Sequence, residues 1–184
     1  MKTRSGFVSN SSSSSFVVAF GDIPRSKEEL QAMMFSPGET ELPCGYYCEN
    51  CGHSGYSVSD VVDAVWRDMQ EPATDDDDID GSGPLNEKQI GTVFASGHID
   101  GTPELDYRNY PDIQEDPDGW RAHWDAECAK RDEYAHSSAD EFTKANEGCS
   151  FFRFHYSDND GAFWSQMEHG DIFRKLPHFQ ISHH

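Results

Sequence analysis

The sequence predicts one α+β domain, in which a mainly antiparallel sheet of four or five strands packs against about three helices on one of its faces. Apolar segments rich in aromatic and β-branched residues lie towards both ends of the chain, at 16–20, 151–156 and 178–182. The helical patterns lie between these segments. A length of 184 residues fits a single domain over 1–184.

Composition narrows the range of functions. The chain has 34 acidic and 14 basic residues and a formal net charge of −20. Nucleic-acid affinity depends on Lys and Arg contacts with phosphate, so we expect no direct nucleic-acid binding, and the same charge disfavours anionic membranes. No run approaches the roughly 20 apolar residues of a membrane span. Five cysteines, an odd number with three close together, favour a metal site in a reducing compartment and therefore the cytoplasm.

The N-terminal third is predicted to contain one strand and two helices. The strand at 16–20 directly follows a run of five serines. Ser26 and Glu29 form a capping-box pattern, which begins a helix that ends before Pro37. Ser57 begins the second helix, whose apolar residues recur at helical spacing: Val61, Val62, Val65 and Met69.

The remainder of the chain is predicted to hold four strands and a long helix. Residues 90–99 form a strand and 118–145 form the helix, with Trp120 and Trp124 on its buried side. Alternating apolar residues predict a strand at 151–156. The Ser-Asp-Asn-Asp-Gly sequence at 157–161 is composed of residues that favour turns and predicts one there. We therefore expect 163–168 to return as the second strand of a C-terminal hairpin, and 178–182 to form the last strand.

A small cysteine zinc knuckle is predicted in an insertion at 43–56. Its candidate zinc ligands lie within ten residues: Cys44, Cys48, Cys51 and His53. Two thiolates at Cys-x-x-Cys spacing can chelate one Zn²⁺, and Gly52 lets backbone amides turn towards the sulfurs. Cys128 or Cys149 could complete the ligand set from a distance. The alternatives are buried free cysteines and a redox pair, although no thioredoxin-like βαβ pattern surrounds them.

An acidic loop is predicted at 71–87. Oxygen-bearing residues at EF-hand spacing make it a candidate Ca²⁺ site: Asp76, Asp78, Asp80, Ser82 and Glu87. Gly81 stands where that loop turns sharply, but Pro84 occupies a position that usually bears a ligand. No convincing exit helix is predicted after the loop. The alternative, which we favour, is a solvated acidic loop.

Histidines accumulate in the last 30 residues or so. If the C-terminal strands share one sheet, several imidazoles could converge into a metal site or an acid–base pair. The candidate ligands and acid–base groups are Glu168, His169, His183 and His184. The serine-rich N-terminus would then contribute hydroxyls beside the imidazoles, suited to holding a phosphate or an acyl group. The alternative is a set of scattered surface histidines.

Both ends of the chain carry strings that resemble those of an uncharacterised family. Residues 6–16, GFVSNSSSSSF, resemble the N-terminal signature of certain tailed-phage and bacterial proteins. The strings EHGDIF at 168–173, LPH at 176–178 and SHH at 182–184 are similar to the other end of such proteins. The resemblance implies a phage or bacterial setting, in the host cytoplasm or a virion, and two ends that belong to one module. We therefore expect 9–15 to be ordered beside the C-terminal strands.

Three functional hypotheses follow. The first is a zinc-binding accessory protein that acts through protein–protein interaction with a basic surface of its partner. The second is a metal-assisted hydrolase or phosphate-handling enzyme that uses the C-terminal histidines. The third is an acidic mimic that occupies a nucleic-acid-binding protein. No complete catalytic signature decides whether the protein is an enzyme.

Overall fold

The computed structural model describes residues 13–42, 56–72, 81–105, 108, 110–157 and 161–183. A mainly antiparallel α+β fold is confirmed in this part of the chain. In chain order, the elements are β1 (Ser13–Phe20), α1 (Lys27–Met34), β2 (Glu41–Leu42), β3 (Tyr56–Ser57), α2 (Val58–Met69), β4 (Gly83–Leu85), α3 (Glu87–Ala95), β5 (His98–Ile99), α4 (Pro117–Ala145), β6 (Ser150–Ser157), α5 (Ala162–His169) and β7 (His178–His183).

Strand β1 is the centre of a five-stranded sheet with the order β4-β6-β1-β7-β5. It pairs antiparallel with β6 on one side and β7 on the other, so the first and last described strands are neighbours in the middle of the sheet. Every residue of β1 after Ser13 is buried. A strand covered on both faces needs apolar residues on both, which explains the uninterrupted apolar run at 16–20.

The two faces of the sheet are covered by different helices. We call the side carrying Phe16 and Val18 the α2 face, where helices α1, α2 and α5 complete one apolar core. We call the side carrying Val17 and Ala19 the α4 face, where α3 and α4 complete a second core. The prediction of helices on one face is therefore wrong, because β1 buries apolar side chains in both directions.

Local capping explains where the correctly predicted helices begin. The Ser26 hydroxyl accepts a hydrogen bond from the Glu29 amide at the start of α1, and Ser57 accepts one from Ser59 at the start of α2. The long helix α4 is also confirmed. Its fully buried residues are Ala135 and Ala139, whereas Trp120 and Trp124, predicted to be buried, are only half-buried.

The predicted C-terminal hairpin is wrong, because residues 163–168 lie in helix α5. β1 pairs along the whole of one edge of β6, and on the other edge β4 pairs with residues 151–153 while Ser82 accepts a hydrogen bond from the His155 amide, which leaves little of that edge for a return strand. Phe163 and Met167 lie four residues apart and share one helical face, and Met167 is fully buried in the α2-face core.

The predicted strand at 90–99 is also wrong, since most of it is helix α3. Asn86 accepts hydrogen bonds from the Lys88 and Gln89 amides, and the Gln89 side chain accepts one from the Asn86 amide. This complete capping box begins a helix, which leaves only β5 as a strand. The described residues thus hold five helices rather than about three.

A two-stranded hairpin closes the segment that contains the cysteines. Strands β2 and β3 pair antiparallel, with Leu42 opposite Tyr56. Leu42 is buried in the α2-face core, and the Tyr56 ring packs edge-on against Phe163 at 5.6 Å between centroids. The base of the predicted insertion is therefore fixed to the α2 face. Within the described ranges, no helix combines the length and apolarity that crossing a membrane requires.

Candidate functional site

The serine end of β1 lies between β6 and β7. Ser13 is opposite Ser157 and His183, and Ser15 is opposite His155 and Ile181. The expectation that the serine run joins the C-terminal strands is confirmed for 13–15, whereas 9–12 lie outside the described residues. Because side chains alternate along a strand, Ser15 points to the α4 face and Ser14 to the α2 face.

On the α4 face, one hydroxyl lies between two imidazoles. The Ser15 Oγ atom is 3.0 Å from Nδ1 of His155 and 3.0 Å from Nε2 of His183. Ser15 is completely buried, whereas both histidines are half-buried. A hydroxyl has one proton to donate and lone pairs to accept, so it can donate to one ring while accepting from the other. The three side chains therefore form a continuous path for a proton.

A buried arginine stands next to this Ser15–His155–His183 cluster. Arg153 is opposite Val17 in the sheet, on the same face as His155, and is only 2% exposed. Its Nε donates a hydrogen bond to the carbonyl oxygen of Gly81. Since Arg153 keeps its charge at any relevant pH, it adds positive potential beside the imidazoles of a strongly acidic protein.

On the α2 face, the other serine takes part in a second polar network. Ser14 Oγ donates to Glu168 Oε1 at 3.3 Å, and Gln180 Nε2 donates to Ser14 Oγ at 3.1 Å. The Glu168 side chain is fully buried, and its Oε2 atom has no hydrogen-bond partner among the described residues. The Nε2 atom of His169 is 3.6 Å from that oxygen. Glu168 and His169 are thus well placed to interact with each other.

The sheet separates the predicted histidine set into two groups. Glu168 and His169 belong to the α2 face and His183 to the α4 face, while His184 lies outside the described residues. In the described part of the chain, no group of three or more His, Cys, Asp or Glu side chains could hold a metal ion. The structure therefore unites His183 with His155 and Ser15, and not with Glu168 and His169.

The predicted zinc ligands Cys44, Cys48, Cys51 and His53 all lie outside the described residues. Cys128 and Cys149 are described and are free thiols. Cys149 packs against the α4-face core and Cys128 lies on α4, whereas the β2–β3 hairpin is fixed to the α2 face. These two thiols are therefore on the opposite side of the sheet from the base of the cysteine segment.

Two members of the predicted calcium loop are described. The Ser82 Oγ atom accepts a hydrogen bond from the His155 amide at 3.1 Å, so its hydroxyl is attached to the sheet edge. Glu87 is the first residue of α3, which supplies the exit helix that the sequence did not predict. Residues 83–85, predicted as loop, form strand β4. The remaining candidates, Asp76, Asp78 and Asp80, lie outside the described residues.

A third polar group lies at the margin of the α2-face core, where Asp68 is buried and the Arg67 side chain is exposed. The Arg67 guanidinium donates to Asp68 Oδ1 at 2.8 and 3.1 Å. Burial nevertheless raises the pKa of Asp68, because the free-energy cost of removing the carboxylate from water exceeds the stabilisation that the carboxylate gains from the hydrogen bonds and charge of Arg67. Burial, followed by the Asp68 charge, also raises the pKa of Tyr156 well above its usual value.

A cavity of about 420 Å³ adjoins His183. It lies between α4 and the β5–β7 edge of the sheet, and its polar lining includes His98, Thr102, Arg131, Asp132 and His183. His183 therefore contacts the cavity on one side and Ser15 on the other. Gly97 permits this arrangement, since a Cβ there would lie 2.6 Å from the Ser182 carbonyl oxygen and 2.9 Å from Nδ1 of His183.

Sequence reasoning placed serines and histidines together but did not identify Ser15, Arg153 or Arg131. The alternation of 151–156 does place Arg153 and His155 on one face, which is the signal that could have found the arginine. No local pattern marks Arg131, because it joins the cavity only through the packing of α4 against the sheet edge.

The fold and these clusters define a two-sided antiparallel α+β protein with a serine–histidine site at one end of its central strand. No protein-family model, curated protein or solved structure matches the chain.

Proposed function

We propose that the protein is a hydrolase or phosphate-handling enzyme in which His183 is the general acid–base residue. The observation that supports this most directly is the fully buried Ser15 hydroxyl, held 3.0 Å from an imidazole of β6 and 3.0 Å from an imidazole of β7. Hydroxyl–imidazole contacts of this length are the ones that general acid–base catalysis uses.

The burial of each group suggests its role. Ser15 is inaccessible, so it acts as a positioning residue that orients the His183 ring and relays charge towards His155. His183 alone of the three lines the cavity, so it is the residue that can contact a substrate. The use of Glu168 and His169 in the same reaction is not part of this proposal, because they belong to the other face of the sheet.

The experiment measures turnover of chromogenic phosphate monoesters, phosphate diesters and carboxylic esters. We expect His183→Gln to lower kcat/KM by ~10²–10⁴-fold, which is the usual contribution of a general acid–base group. Ser15→Ala and His155→Gln should lower kcat less and move the pH profile, since they act through His183. His136→Gln changes an exposed histidine on α4 and serves as the control.

Two results would contradict the proposal. One is a wild-type protein that turns over none of the three ester classes. The other is a folded His183→Gln variant that keeps the wild-type rate, because the catalytic group would then lie elsewhere.

We further propose that the chain binds one Zn²⁺ through the segment that holds Cys44, Cys48, Cys51 and His53, as a structural element of an accessory protein that engages another protein. The β2–β3 hairpin supports this, because Leu42 and Tyr56 pair at its base and so hold the two ends of the segment together. Closing the loop in advance lowers the entropy cost of bringing ligands to one ion.

Metal analysis of the untagged protein tests the zinc proposal. We expect one zinc per chain, lost in Cys48→Ser and retained in Cys149→Ser, whose thiol is on the opposite side of the sheet from the hairpin. Untagged protein purified without chelators but devoid of zinc would refute it, and a pull-down from the native host would identify the partner.

A further inference from the structure

The cavity beside His183 has the chemistry of a ligand site. Its volume of about 420 Å³ is within the range of small-molecule pockets. Elements from three parts of the chain line it: the end of α3 with β5, the middle of α4, and the end of β7. A site assembled from such distant segments depends on the whole fold and not on one loop.

The charges in this cavity differ from those of the rest of the protein. Arg131 is half-buried against it and makes no ion pair with any residue in the described ranges. Its neighbour Asp132 also lines the cavity but is exposed, so the guanidinium is the more buried of the two charges. In a chain with a net charge of −20, a half-buried arginine without a carboxylate partner is a ready binding group for an anion.

The hydrogen-bonding groups of the lining favour a ligand rich in acceptors. The Ser96 hydroxyl donates its proton to the Val93 carbonyl at 2.7 Å, and the Thr102 hydroxyl donates to the Ile99 carbonyl at 2.6 Å. With these protons committed to the backbone, the Arg131 guanidinium and the imidazoles of His98 and His183 are the strongest donors left in a lining that also holds Ser182 and Cys128. A phosphate group, with its negative charge and several acceptor oxygens, matches a guanidinium and two imidazoles.

We propose that this cavity binds the phosphate group of a small phosphorylated molecule, with Arg131 as its anchor and His183 as the residue that contacts the scissile end. This deepens the proposed function by naming the substrate class of the same site, and in that respect rests on it. Inorganic phosphate should bind there too, because the anchor recognises the phosphate group itself.

The test is a titration of the full chain with inorganic phosphate, followed by NMR or calorimetry. We expect saturable binding that Arg131→Gln weakens by ~10-fold or more, as loss of a charge-assisted hydrogen bond does. Lys130→Gln is the matched control, since it removes the same charge from the neighbouring position on α4, where Lys130 pairs with Glu127. It should change the affinity by less than about twofold, because Lys130 is exposed and is not among the residues that line the cavity, so its charge is screened by solvent.

Acetate provides the second comparison, since it offers one charge and two oxygens and should bind more weakly than phosphate. Absence of saturable phosphate binding, equal weakening by Arg131→Gln and Lys130→Gln, or acetate binding as tightly as phosphate would each overturn the inference.

Steady-state kinetics with p-nitrophenyl phosphate separate this inference from the proposed function. Phosphate binding that depends on Arg131, together with no turnover of any ester, would leave the site in place and refute the enzyme. Turnover that depends on His183, with a KM unaffected by Arg131→Gln, would support the enzyme and refute the phosphate anchor.

Discussion

Gly97 is the residue at which packing and the candidate site depend on each other most directly. A methyl group there would lie 2.6 Å from the Ser182 carbonyl oxygen and 2.7 Å from Cγ2 of Ile181, both in β7. We expect Gly97→Ala to lower the free energy of unfolding by about 1–3 kcal/mol, as overpacking of a tight contact does, and to displace the His183 ring from Ser15. Urea denaturation measures the first effect and activity measures the second.

Gly21→Ala is the control for that substitution, because no atom beyond its own residue and its two chain neighbours lies within 4 Å of the position that its Cβ would occupy. Equal unfolding midpoints for Gly97→Ala and the wild type would show that β5 can move away from β7 at no cost, which contradicts the close approach described here.

Asp68 gives the α2-face core a pH dependence with a definite sign. Burial raises the pKa of this carboxyl in the folded protein. At pH values between the unfolded and the folded pKa, the folded state therefore keeps a proton that the unfolded chain has lost. Its contribution to stability is therefore complete below the unfolded pKa and is lost as the pH rises through the folded pKa. Asp68→Asn removes this titration, so we expect the stability of the variant relative to the wild type to increase from about pH 4 to pH 7.

Thermal denaturation of both proteins across that pH range measures the difference. A constant offset between the two curves would mean that Asp68 has the same pKa in the folded and unfolded states, contrary to the effect of its burial.

At the level of elements, helix α3 begins at a capping box in which the Asn86 side chain makes most of the hydrogen bonds. Asn86 accepts two backbone hydrogen bonds, and Gln89 closes the capping box from the other direction. We expect Asn86→Ala to lower the free energy of unfolding by about 1 kcal/mol, the typical cost of losing a cap. Asn86→Asp, which keeps the acceptor, should remain near the wild type in the same denaturation experiment, and a loss as large as that of Asn86→Ala would contradict the capping role.

The same capping chemistry explains which elements the sequence could reveal. Ser26 and Ser57 precede regular apolar spacing, so α1 and α2 were predictable from local pattern. The sequence predicts strands where α3 and α5 lie, because aromatic and β-branched residues such as Val93, Phe94 and Phe163 are also common in strands. The Asn86–Gln89 capping box is the local signal that separates α3 from a strand, whereas α5 has no side-chain cap and is identified only by its packing in the tertiary structure.

For the candidate site, the sequence predicts which segments lie close together but not which side chains are in contact. Terminal strands that share a sheet bring serines and histidines together, and this much followed from the sequence. Which imidazole meets which serine depends on register, since a shift of one residue would turn Ser15 to the other face. The observed registers place Ser15 on the α4 face, 3.0 Å from both His155 and His183, and Ser14 on the α2 face, where it donates to Glu168.

For the whole molecule, the formal net charge of −20 produces a long-range electrostatic repulsion between its carboxylates. Like charges repel more strongly in the compact state than in the extended chain, so the folded protein is destabilised by its own field. Raising NaCl from about 10 mM to about 300 mM shortens the Debye length and weakens this repulsion. We expect a gain of about 1 kcal/mol, which corresponds to a rise in Tm of about 2–4 °C for a chain of this size.

Calcium chloride at matched ionic strength separates screening from specific binding at the acidic loop. If Asp76, Asp78, Asp80 and their neighbours are simply solvated, CaCl₂ and NaCl should raise Tm equally, and Asp78→Asn should change neither response. A larger rise of Tm in CaCl₂ than in NaCl, abolished by Asp78→Asn, would instead assign a Ca²⁺ site to this loop. An ion that binds the folded state more tightly than the unfolded chain stabilises it in addition to the effect of screening. Glu87, at the first position of α3, would then be the ligand that couples the ion to the α4 face, and Glu87→Gln should reproduce the loss.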